Sequence, residues 1–334
     1  MASKMECLCD SKEKVDAPWS GLHCYIAITG ASRGFGRALC LQLTEELTSG
    51  PGRADSVSFL LMARDLSRLE ETREMIMAAK DPTSQTRVKV LLARPPLDMV
   101  NANESAAFNA LQPLFQHAET TGRNGRQWNL LIHNAGSLGD LELRADERTS
   151  VEVQDAYYRV NLLAPMLITG VFLRYFAPID RPHPPVTIVN VSSLAAEEPF
   201  PRMSDYCVAK AARQMYMKCL AVDRPAIAVF NYSPGPLDTD MHTEIAEKHG
   251  DPNYRAAAAE LKSKHCLITS EDSARVCVSW LRRRHLNYEA GDHTSSEPKA
   301  IVCPLHQADR ADIWTGPRLD YYDAISMEPV AGGS

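Results

Sequence analysis

Short apolar runs alternate along this chain with longer segments of mixed polarity. The runs predict strands at residues 22–29, 56–63, 87–93, 129–133, 186–191 and 227–232. The segments between them predict helices at about 65–80, 103–120, 149–176, 205–222 and 270–285. Continuous apolar runs are typical of strands buried on both faces, as in a parallel sheet with helices on each side. The order of elements therefore predicts an α/β fold with one doubly wound parallel sheet, in a three-layer α/β/α arrangement.

Length and charge restrict the function of such a chain. The 334 residues suffice for one large domain with tails or for two small domains, and 45% of them are hydrophobic. A net charge of −6 argues against a nucleic-acid or anionic membrane surface. No apolar run reaches the roughly 20 residues that span a bilayer, and residues 1–20 lack the apolar segment of a secretory signal. We therefore expect a cytoplasmic protein with neither a nucleic-acid nor a membrane partner.

The nine cysteines are not spaced as a disulfide framework. We expect those in apolar segments to be small buried hydrophobic residues in a reducing compartment, namely Cys24, Cys40, Cys207, Cys219 and Cys277. Cys7 and Cys9 form a C-x-C pair without further ligands at zinc spacing, so no metal site is predicted.

A glycine-rich turn follows the first apolar run directly. The run ends at Thr29, and Gly30, Gly34 and Gly36 lie where the first helix begins. Glycine lets the backbone approach an anion closely, and a helix N-terminus presents unpaired amides and a positive dipole end. This arrangement is typical of a dinucleotide-binding βα unit, although the spacing is G-x3-G-x-G rather than G-x-G-x-x-G. An ordinary tight turn after a strand can give the same pattern.

The residue after the second strand bears on the choice of nicotinamide cofactor. An NAD enzyme usually carries an acidic residue there for the ribose 2′-hydroxyl, whereas this chain has Arg64. Together with Arg33, Arg64 can hold a 2′-phosphate through charge-assisted, bidentate hydrogen bonds. The pair favours NADP(H). Two alternatives stay open: Asp65 can serve a ribose hydroxyl, and both arginines can be solvated surface charges.

Candidate catalytic residues lie at the end of the fifth apolar run and in the helix after it. Tyr206 and Lys210 are four residues apart and therefore share one helix face. A fixed positive charge favours the phenolate, so we expect Lys210 to lower the pKa of Tyr206 and make it a usable general acid. Ser193 can direct its hydroxyl at the same reacting oxygen. Taken alone, a solvated lysine beside a half-buried tyrosine explains the pair equally well.

In this order and spacing, the motifs resemble those of the short-chain dehydrogenase/reductase family. The likeness covers roughly residues 22–291 and includes TGASRGFG at 29–36, HNAG at 133–136, the Ser193, Tyr206 and Lys210 set, and SPGPLDTD at 233–240. It implies a Rossmann-type domain over residues 22–291, between an N-terminal tail of residues 1–21 and a C-terminal insertion and tail of residues 292–334. It also implies an oxidoreductase that uses NADPH/NADP+ and acts on a CH–OH/C=O pair.

The resemblance implies roles for individual residues. Asn161 matches the catalytic asparagine of the family, which holds a water that links Lys210 to solvent. Asp98 matches the acid that touches the adenine, and the Pro-Gly element secures the nicotinamide carboxamide. The cofactor contacts implied are Gly30, Ser32, Arg33, Gly34, Phe35, Gly36, Arg64, Asp98, Asn134, Ala135, Gly136, Tyr206, Lys210, Pro234, Gly235, Leu237 and Thr239.

A narrower likeness concerns family members that reduce side-chain ketones of pterins with NADPH. It is carried by NAGSLGD at 134–140, YCVAKAAR at 206–213 and NYSPGPLDTDM at 231–241. In those members an aspartate near the C-terminus anchors the pterin, and a carboxylate can accept two parallel hydrogen bonds from adjacent N–H groups. RLDYYD, within the segment 316–323, makes Asp320 this anchor. Read without the preceding insertion, Ser295 takes the position instead, and a serine cannot replace a carboxylate.

The substrate is thus expected to be a pterin that contacts Ser193, Tyr206 and Asp320, and the family's usual pairing through its two long helices implies a homodimer. A broad carbonyl or dicarbonyl reductase is the first alternative, and a catalytically idle NADPH-binding regulatory protein is the second.

Smaller departures from the family are His133, expected to be a packed strand-end residue, and Met203, expected to soften the pocket wall. Residues 251–258 carry no identifiable chemistry.

Overall fold

A computed structural model describes residues 19–50, 52–121, 125–289 and 318–320, with the backbone alone for 286–289 and 318–320. The strands are β1 (Leu22–Thr29), β2 (Ser56–Met62), β3 (Arg87–Leu92), β4 (Arg126–His133), β5 (Val186–Val191), β6 (Ile227–Ser233) and β7 (Arg318–Asp320). The α-helices are α1 (Gly34–Thr48), α2 (Leu66–Ala79), α3 (Glu104–Thr120), α4 (Val151–Tyr158), α5 (Ala164–Phe176), α6 (Ser204–Asp223), α7 (Asp240–Lys248), α8 (Pro252–Ser263) and α9 (Ser270–Glu289). A π-helical turn, Arg159–Leu163, joins α4 to α5.

The described strands form one parallel sheet in the order β3-β2-β1-β4-β5-β6-β7. The chain moves outward from β1 through β2 to β3 and then returns to β4 on the other side of β1. Ligands of doubly wound sheets bind outside the carboxyl ends of the strands at such a reversal. Here Thr29 and His133 are register partners at the ends of β1 and β4. The predicted fold class is confirmed.

Two apolar layers cover the faces of the sheet. In β1, Ile26 and Ile28 pack into the layer that contains α1, α2 and α9. The alternate residues Tyr25 and Ala27 pack into the layer that contains α3, α5 and α6. Because both faces are covered, the strand pattern is continuously apolar rather than alternating.

The predicted strand bounds differ from the observed ones by at most three residues, at the start of β4. That start reads Arg126-Gln127, which is polar, yet it is held in the sheet because it pairs with the beginning of β1. The helices α7 and α8 are not in the predicted pattern. α8 lies mostly exposed and buries only Ala258. α7 is only nine residues long and packs through Met241 and Ile245, a stripe too short to stand out in the sequence.

The predicted helix 149–176 is divided by the π-helical turn. Pro165 follows this turn and has no N–H, so it cannot bond the carbonyl of Asn161 four residues earlier. The whole segment Val151–Phe176 is long and apolar enough to cross a membrane by length and composition alone. Half of its most apolar window is buried inside the protein, however, and α5 packs against the sheet, as in a core helix of a globular domain.

The cysteine prediction is partly wrong. Cys24, Cys40 and Cys277 are buried, and burial raises the pKa of each thiol. Cys207 is only half-buried, and Cys219 on α6 is exposed. Cys7 and Cys9 lie outside the described residues.

The packing of α1 on the first turn predicts the effect of a methyl group at Gly36. A Cβ there would lie under 3.0 Å from the carbonyl oxygen of Gly30 and from the side-chain amide of Asn134. We expect Gly36→Ala to lower the free energy of unfolding by about 1–3 kcal/mol, because overpacking forces the backbone apart. Urea unfolding of the purified protein measures this.

The control is Gly170→Ala in α5, where an added Cβ meets nothing within 4 Å. This change should be neutral or stabilise by up to about 1 kcal/mol, because alanine has the higher helix propensity. Equal unfolding midpoints for the two variants would contradict the proposed close packing.

Candidate active site

The turn after β1 and the segment after β4 are bonded to each other at the carboxyl edge of the sheet. The hydroxyl of Thr29 accepts hydrogen bonds from the backbone N–H groups of Asn134 and Ala135, both at 3.1 Å. The side-chain amide of Asn134 donates to the carbonyls of Thr29 at 3.2 Å and of Gly30 at 3.1 Å. Together with Gly136, these residues form the crevice wall in which sequence reasoning placed the cofactor.

The glycine turn leaves room for an anion beside the start of α1. Gly30 has φ +70° and Gly34 has φ +53°, in the left-handed region that glycine adopts without strain. A Cβ at Gly30 would lie 2.8 Å from the Asn134 amide nitrogen. The first turn of α1 contains no acidic residue, and its N-cap makes no side-chain hydrogen bond. The amides and dipole of this terminus are thus available to a phosphate.

Two predicted cofactor residues of the turn also have structural roles. Phe35 is buried and stacks on Tyr232, with ring centroids 5.9 Å apart, so its side chain belongs to the core and only its backbone faces the turn. The carbonyl of Ser32 accepts a hydrogen bond of 2.6 Å from Arg37. The turn is therefore held from the side of α1 as well as from β4.

Arg33 and Arg64 lie at the ends of neighbouring elements, and both are exposed. Arg33 forms an ion pair with Asp240 at the start of α7. Arg64 makes no hydrogen bond or ion pair with the part of the chain that the structure describes. Asp65, the alternative ribose acceptor, instead caps α2 by accepting from the N–H of Arg68 at 3.1 Å. This cap and the open Arg64 favour a 2′-phosphate over a ribose 2′-hydroxyl.

Asp98, the predicted contact to the adenine, lies in the loop after β3. Asp98 is exposed, and its two carboxylate oxygens accept from the N–H of Val100 at 3.1 Å and from the amide of Asn101 at 2.7 Å. Each oxygen keeps a further lone pair for a ligand.

The Pro-Gly segment after β6 approaches the glycine turn from the other side. Pro234 follows the strand end, Gly235 has φ +78°, and Leu237 is buried. Thr239 is the N-cap of α7, and its methyl group would lie 3.6 Å from a Cβ at Gly34. The segment thus approaches the start of α1 at Gly34.

Of the four predicted catalytic side chains, Ser193 lies just after β5, and Tyr206 and Lys210 lie on α6. Lys210 donates from Nζ to the carbonyl of Val191 at 2.7 Å, and its Nζ is 5.5 Å from the ring centroid of Tyr206. Ser193 accepts from the N–H of Ala195 at 3.2 Å, which fixes its position at the end of the strand. Tyr206 and Lys210 are both buried, so the solvated-lysine alternative is wrong.

The pKa shifts of Tyr206 and Lys210 differ from those expected from the sequence. Burial raises the pKa of Tyr206, while a hydrogen bond with Ser193 and the charge of Arg213 lower that pKa. Burial and Arg213 also lower the pKa of Lys210 well below its usual value. The prediction that Lys210 lowers the pKa of Tyr206 is therefore wrong for the chain by itself. The fixed cation that acts on the phenol is Arg213.

Sequence reasoning missed Arg213, which lies two helical turns after Tyr206 on the same face of α6. Its guanidinium is fully buried and donates to the carbonyls of His133 at 3.1 Å and Ala135 at 3.3 Å. Burial lowers the pKa of Arg213 to about 10, so it remains charged at neutral pH. The signal available in the sequence was its spacing of seven from Tyr206, which brings residues onto one helix face.

The departure from the family at His133 is structural, as predicted. His133 is fully buried, and its Nε2 lies 2.7 Å from the hydroxyl of Thr169. Burial, aided by the charge of Arg213, lowers the pKa of His133 well below its usual value. A neutral, enclosed imidazole of this kind is not placed to act as a base on a ligand.

Asn161 is buried in the π-helical turn. Its side-chain amide donates to Ser137 Oγ and to the carbonyl of Tyr157, both at 3.1 Å, and its oxygen accepts from the N–H of Ser137 at 2.9 Å. A Cβ at Gly136 would come within 3.2 Å of that oxygen. Asn161 therefore fixes the path of the chain immediately after the NAG motif.

Tyr206 belongs to an apolar cluster, here called the apolar wall. Its members come from the loops after β4 and β5 and from α6, α7 and α8: Leu138, Leu141, Ala195, Phe200, Met203, Tyr206, Cys207, Met241, Ile245 and Tyr254. Met203 is buried here, as the pocket prediction required.

Residues 251–258, in which the sequence showed no identifiable chemistry, contribute the ring of Tyr254 to this wall. Its ring contacts Phe200, with centroids 5.9 Å apart, and His249, with centroids 4.6 Å apart. His249 is held by the carbonyl of Pro201 at 2.9 Å and by the N–H of Asp251 at 3.1 Å. No periodic pattern in the sequence marks this contact.

Of the two candidate substrate anchors, Asp320 is among the described residues. The backbone of Asp320 ends β7 and is the register partner of Ser233, directly before the Pro-Gly segment. The β7 strand therefore brings Asp320 to the carboxyl edge of the sheet beside the other site residues. Ser295 lies outside the described residues.

The crevice fits a dinucleotide. The glycine positions that a Cβ would fill, the open helix terminus and the two arginines are the features that a phosphorylated nucleotide requires. Among the described residues, no group of three His, Cys, Asp or Glu side chains is arranged to hold a metal ion.

Comparisons with known proteins agree with this arrangement. The short chain dehydrogenase family profile matches residues 104–250. The chain is 34% identical to sepiapterin reductase of Mus musculus over 274 residues, which is 82% of this chain and 97% of the mouse protein. It is 28% identical to a benzil reductase ((S)-benzoin forming) of Bacillus subtilis (strain 168) over 222 residues, 65% of this chain and 76% of that protein.

A solved short chain dehydrogenase/reductase of Saccharomyces cerevisiae has the same fold. It superposes with a TM-score of 0.62 over 92% of this chain and 99% of the yeast chain, at 19% identity. The identity to the mouse enzyme extends over nearly its whole length. The chain therefore belongs to the short-chain dehydrogenase family and is an oxidoreductase that acts on a CH–OH/C=O pair.

Proposed function

We propose that the protein is an NADPH-dependent reductase of ketones in pterin side chains, such as sepiapterin and 6-pyruvoyl-tetrahydropterin, in tetrahydrobiopterin biosynthesis. The observation that carries the proposal is the convergence of Ser193, Tyr206 and Lys210 on the crevice beside the glycine turn. The identity to mouse sepiapterin reductase over 97% of that enzyme supports the pterin substrate.

In the proposed mechanism, bound NADPH supplies the hydride to the carbonyl carbon. Tyr206 donates its phenolic proton to the carbonyl oxygen, and Ser193 donates a hydrogen bond to the same oxygen. Arg213 stabilises the phenolate that remains on Tyr206, because its buried guanidinium acts on the phenol in a water-poor site. The phenolate in turn favours the charged form of Lys210, whose Nζ is 5.5 Å from the ring centroid. Asn161 keeps the chain after the NAG motif in place and supports the proton path from Lys210 to solvent.

The proposed cofactor contacts divide by chemistry. Amides at the start of α1, of Gly34 and Gly36, hold the pyrophosphate, and Arg33 and Arg64 hold the 2′-phosphate. The N–H of Gly30 donates to the carbonyl of Met62 at 2.7 Å, so Gly30 contributes close approach of the backbone rather than a donor. Because Arg33 pairs with Asp240 on α7, its movement onto a phosphate would also change the contact at the start of that helix. The remaining proposed contacts are Ser32, Phe35, Asp98, Asn134, Ala135, Gly136, Pro234, Gly235, Leu237 and Thr239.

The proposed substrate anchor is Asp320. Its backbone is the register partner of Ser233, directly before the Pro-Gly segment, and this position supports the proposal. The edge of a pterin carries adjacent N–H groups, which a carboxylate accepts in parallel.

A second candidate is a diketone reductase on the same scaffold. The identity to a Bacillus benzil reductase favours it, since benzil is an aromatic diketone. The flexible Met203 and the aromatic Tyr254 and Phe200 in the apolar wall suit such a substrate as well.

We also propose a cytoplasmic homodimer. Val208, Met215 and Val222 form an exposed apolar stripe along α6, at a spacing of seven residues, and Leu163 is exposed in the π-helical turn. A second copy of the chain that packs on this face would cover the stripe.

Removal of the Tyr206 hydroxyl tests the general acid. Tyr206→Phe should lower kcat about 10²- to 10⁴-fold and leave the Kd for NADPH within about twofold, because the change removes proton donation and no cofactor group. NADPH oxidation with sepiapterin and fluorescence titration of NADPH measure the two effects.

Tyr216→Phe, on the same helix, is the matched control and should keep full turnover, since its hydroxyl bonds the carbonyl of Met166 at 3.4 Å and the side chain of Thr169, neither of which is a predicted site residue. Turnover that survives in Tyr206→Phe would mean that another group is the acid. Tight NADPH binding by the unmodified protein without turnover of any ketone would favour the idle regulatory alternative.

The cofactor preference depends on Arg64. Arg64→Ala should raise the KM for NADPH about 10-fold or more and leave the KM for NADH nearly unchanged, because charge-assisted hydrogen bonds to the 2′-phosphate contribute about 1.5–3 kcal/mol. Initial rates with each cofactor measure this. Arg73→Ala, which removes an exposed α2 arginine paired with Glu70, should alter neither value. An equal loss with NADH would contradict the 2′-phosphate role.

Asp320→Ala separates the two substrate classes. For sepiapterin the KM should rise at least about tenfold, since a charge-assisted bidentate contact is lost, whereas the KM for benzil should not change. Steady-state kinetics with both ketones on the intact and variant proteins measure this. If the intact protein reduces benzil but not sepiapterin, the diketone reading replaces the pterin reading.

A further inference from the structure

A buried ion pair lies directly before the phenol, in a position that sequence reasoning did not mark. Arg148 Nη1 donates to Asp205 Oδ2 at 2.7 Å, and the two side chains are only 6% and 11% exposed. Asp205 is in the first turn of α6 and immediately precedes Tyr206. The hydroxyl of Tyr158 also donates to Asp205, at 3.2 Å. The pair thus joins the start of α6 to α4 and to the segment before α4.

The same guanidinium holds three backbone carbonyls on two loops. Its Nη2 donates to the carbonyls of Asp140 at 2.8 Å and Leu143 at 3.2 Å, in the loop after β4. It also donates to the carbonyl of Arg202 at 2.7 Å, in the loop before α6. Arg202 has φ +53°, a left-handed conformation that a side chain adopts at some cost and that these contacts support.

These two loops carry opposite parts of the apolar wall. Leu138 and Leu141 come from the loop after β4, and Phe200 and Met203 come from the loop before α6. The carbonyl of Leu141 also accepts from the N–H of Gly250 at 2.9 Å, which attaches the connection between α7 and α8. Arg148 therefore ties together two loops that contribute to the same apolar cluster as Tyr206.

We propose that the Arg148–Asp205 pair is a positioning device that sets the width of the ketone-binding cleft and thereby the affinity for the ketone. The proposal rests on the proposed function for the identity of the site, but it concerns any ketone that reaches Tyr206. The pair lies on the substrate side of Tyr206, whereas the glycine turn is held independently by Thr29 and Asn134. Substrate binding and cofactor binding should hence respond differently to its removal.

The test compares a variant that removes one partner of the ion pair with a variant that removes both. Arg148→Met leaves Asp205 buried and unpaired and removes the three carbonyl contacts. Arg148→Met combined with Asp205→Leu removes both charges, and replacement of a buried ion pair by apolar residues is often neutral or stabilising. The double variant should therefore regain the thermal stability that the single variant loses, but it cannot restore the carbonyl contacts.

We expect the KM for the ketone to rise about tenfold or more in both variants, while the Kd for NADPH stays within about twofold, because each hydrogen bond from a charged donor is a substantial contribution. Sepiapterin and benzil are both used as substrates. Arg275→Met, which breaks an exposed pair with Asp272 on α9, is the control and should leave every value unchanged.

A double variant with both normal stability and a normal KM would overturn the proposal, since the pair would then serve folding alone. An equal loss of NADPH affinity would overturn it as well. Reduction of benzil but not sepiapterin by the intact protein would refute the pterin substrate and leave this test intact.

Amide hydrogen exchange gives a readout that needs no turnover. In the double variant, exchange should become faster in residues 138–143 and 200–203 and remain unchanged in residues 29–36. Unchanged exchange in both loops would show that Arg148 does not hold them.

Discussion

The active edge of this protein depends on the bonds between the ends of β1 and β4. A parallel sheet leaves its terminal carbonyls and amides without ladder partners, and buried groups of this kind are costly unless they are paired. Thr29 and Asn134 pair four such groups across the two strands. The glycine turn therefore cannot open without loss of hydrogen bonds in the strand extension. The absence of Cβ atoms at Gly30 and Gly36 is what permits the close contact with Asn134.

The catalytic helix contributes a second constraint, which is the burial of two cations three residues apart. Lys210 and Arg213 both donate to backbone carbonyls, of Val191 for the lysine and of His133 and Ala135 for the arginine. Carbonyl dipoles offset part of the desolvation cost, and the lowered pKa of Lys210 indicates that the offset is incomplete. A negative charge that appears on Tyr206 would lower that cost. The two basic groups therefore stabilise the phenolate left after proton donation more than they stabilise the resting phenol. Catalysis requires this difference, because only interactions that strengthen during the reaction lower its barrier.

Sequence reasoning succeeded where a function depends on local spacing. The strand runs, the glycine turn and the i, i+4 relation of Tyr206 and Lys210 are all set by neighbours in the chain, so periodicity and motif order found them. It failed where the partner is distant. Arg213 bonds a carbonyl 80 positions away, and Arg148 bonds a carboxylate 57 positions away. A charged residue that will be buried looks the same in a sequence as one that stays on the surface. The sign of the pKa shift of Tyr206 was wrong for the same reason, because burial is a property of the fold and not of the tyrosine's neighbours.

The cofactor-binding and substrate-binding parts of the proposed site consequently depend on different features of the sequence. The cofactor half is built from strand ends and helix starts, where the backbone itself supplies the donors and only a few side chains are fixed. The substrate half is built from the loops after β4 and β5 and from α7 and α8, and it is held together by side chains such as Arg148, His249 and Tyr254. Substitution in these loops can reshape the cleft while the sheet and the glycine turn stay the same. One scaffold can therefore serve pterins or diketones, and the substrate must be sought in the contacts between the loops.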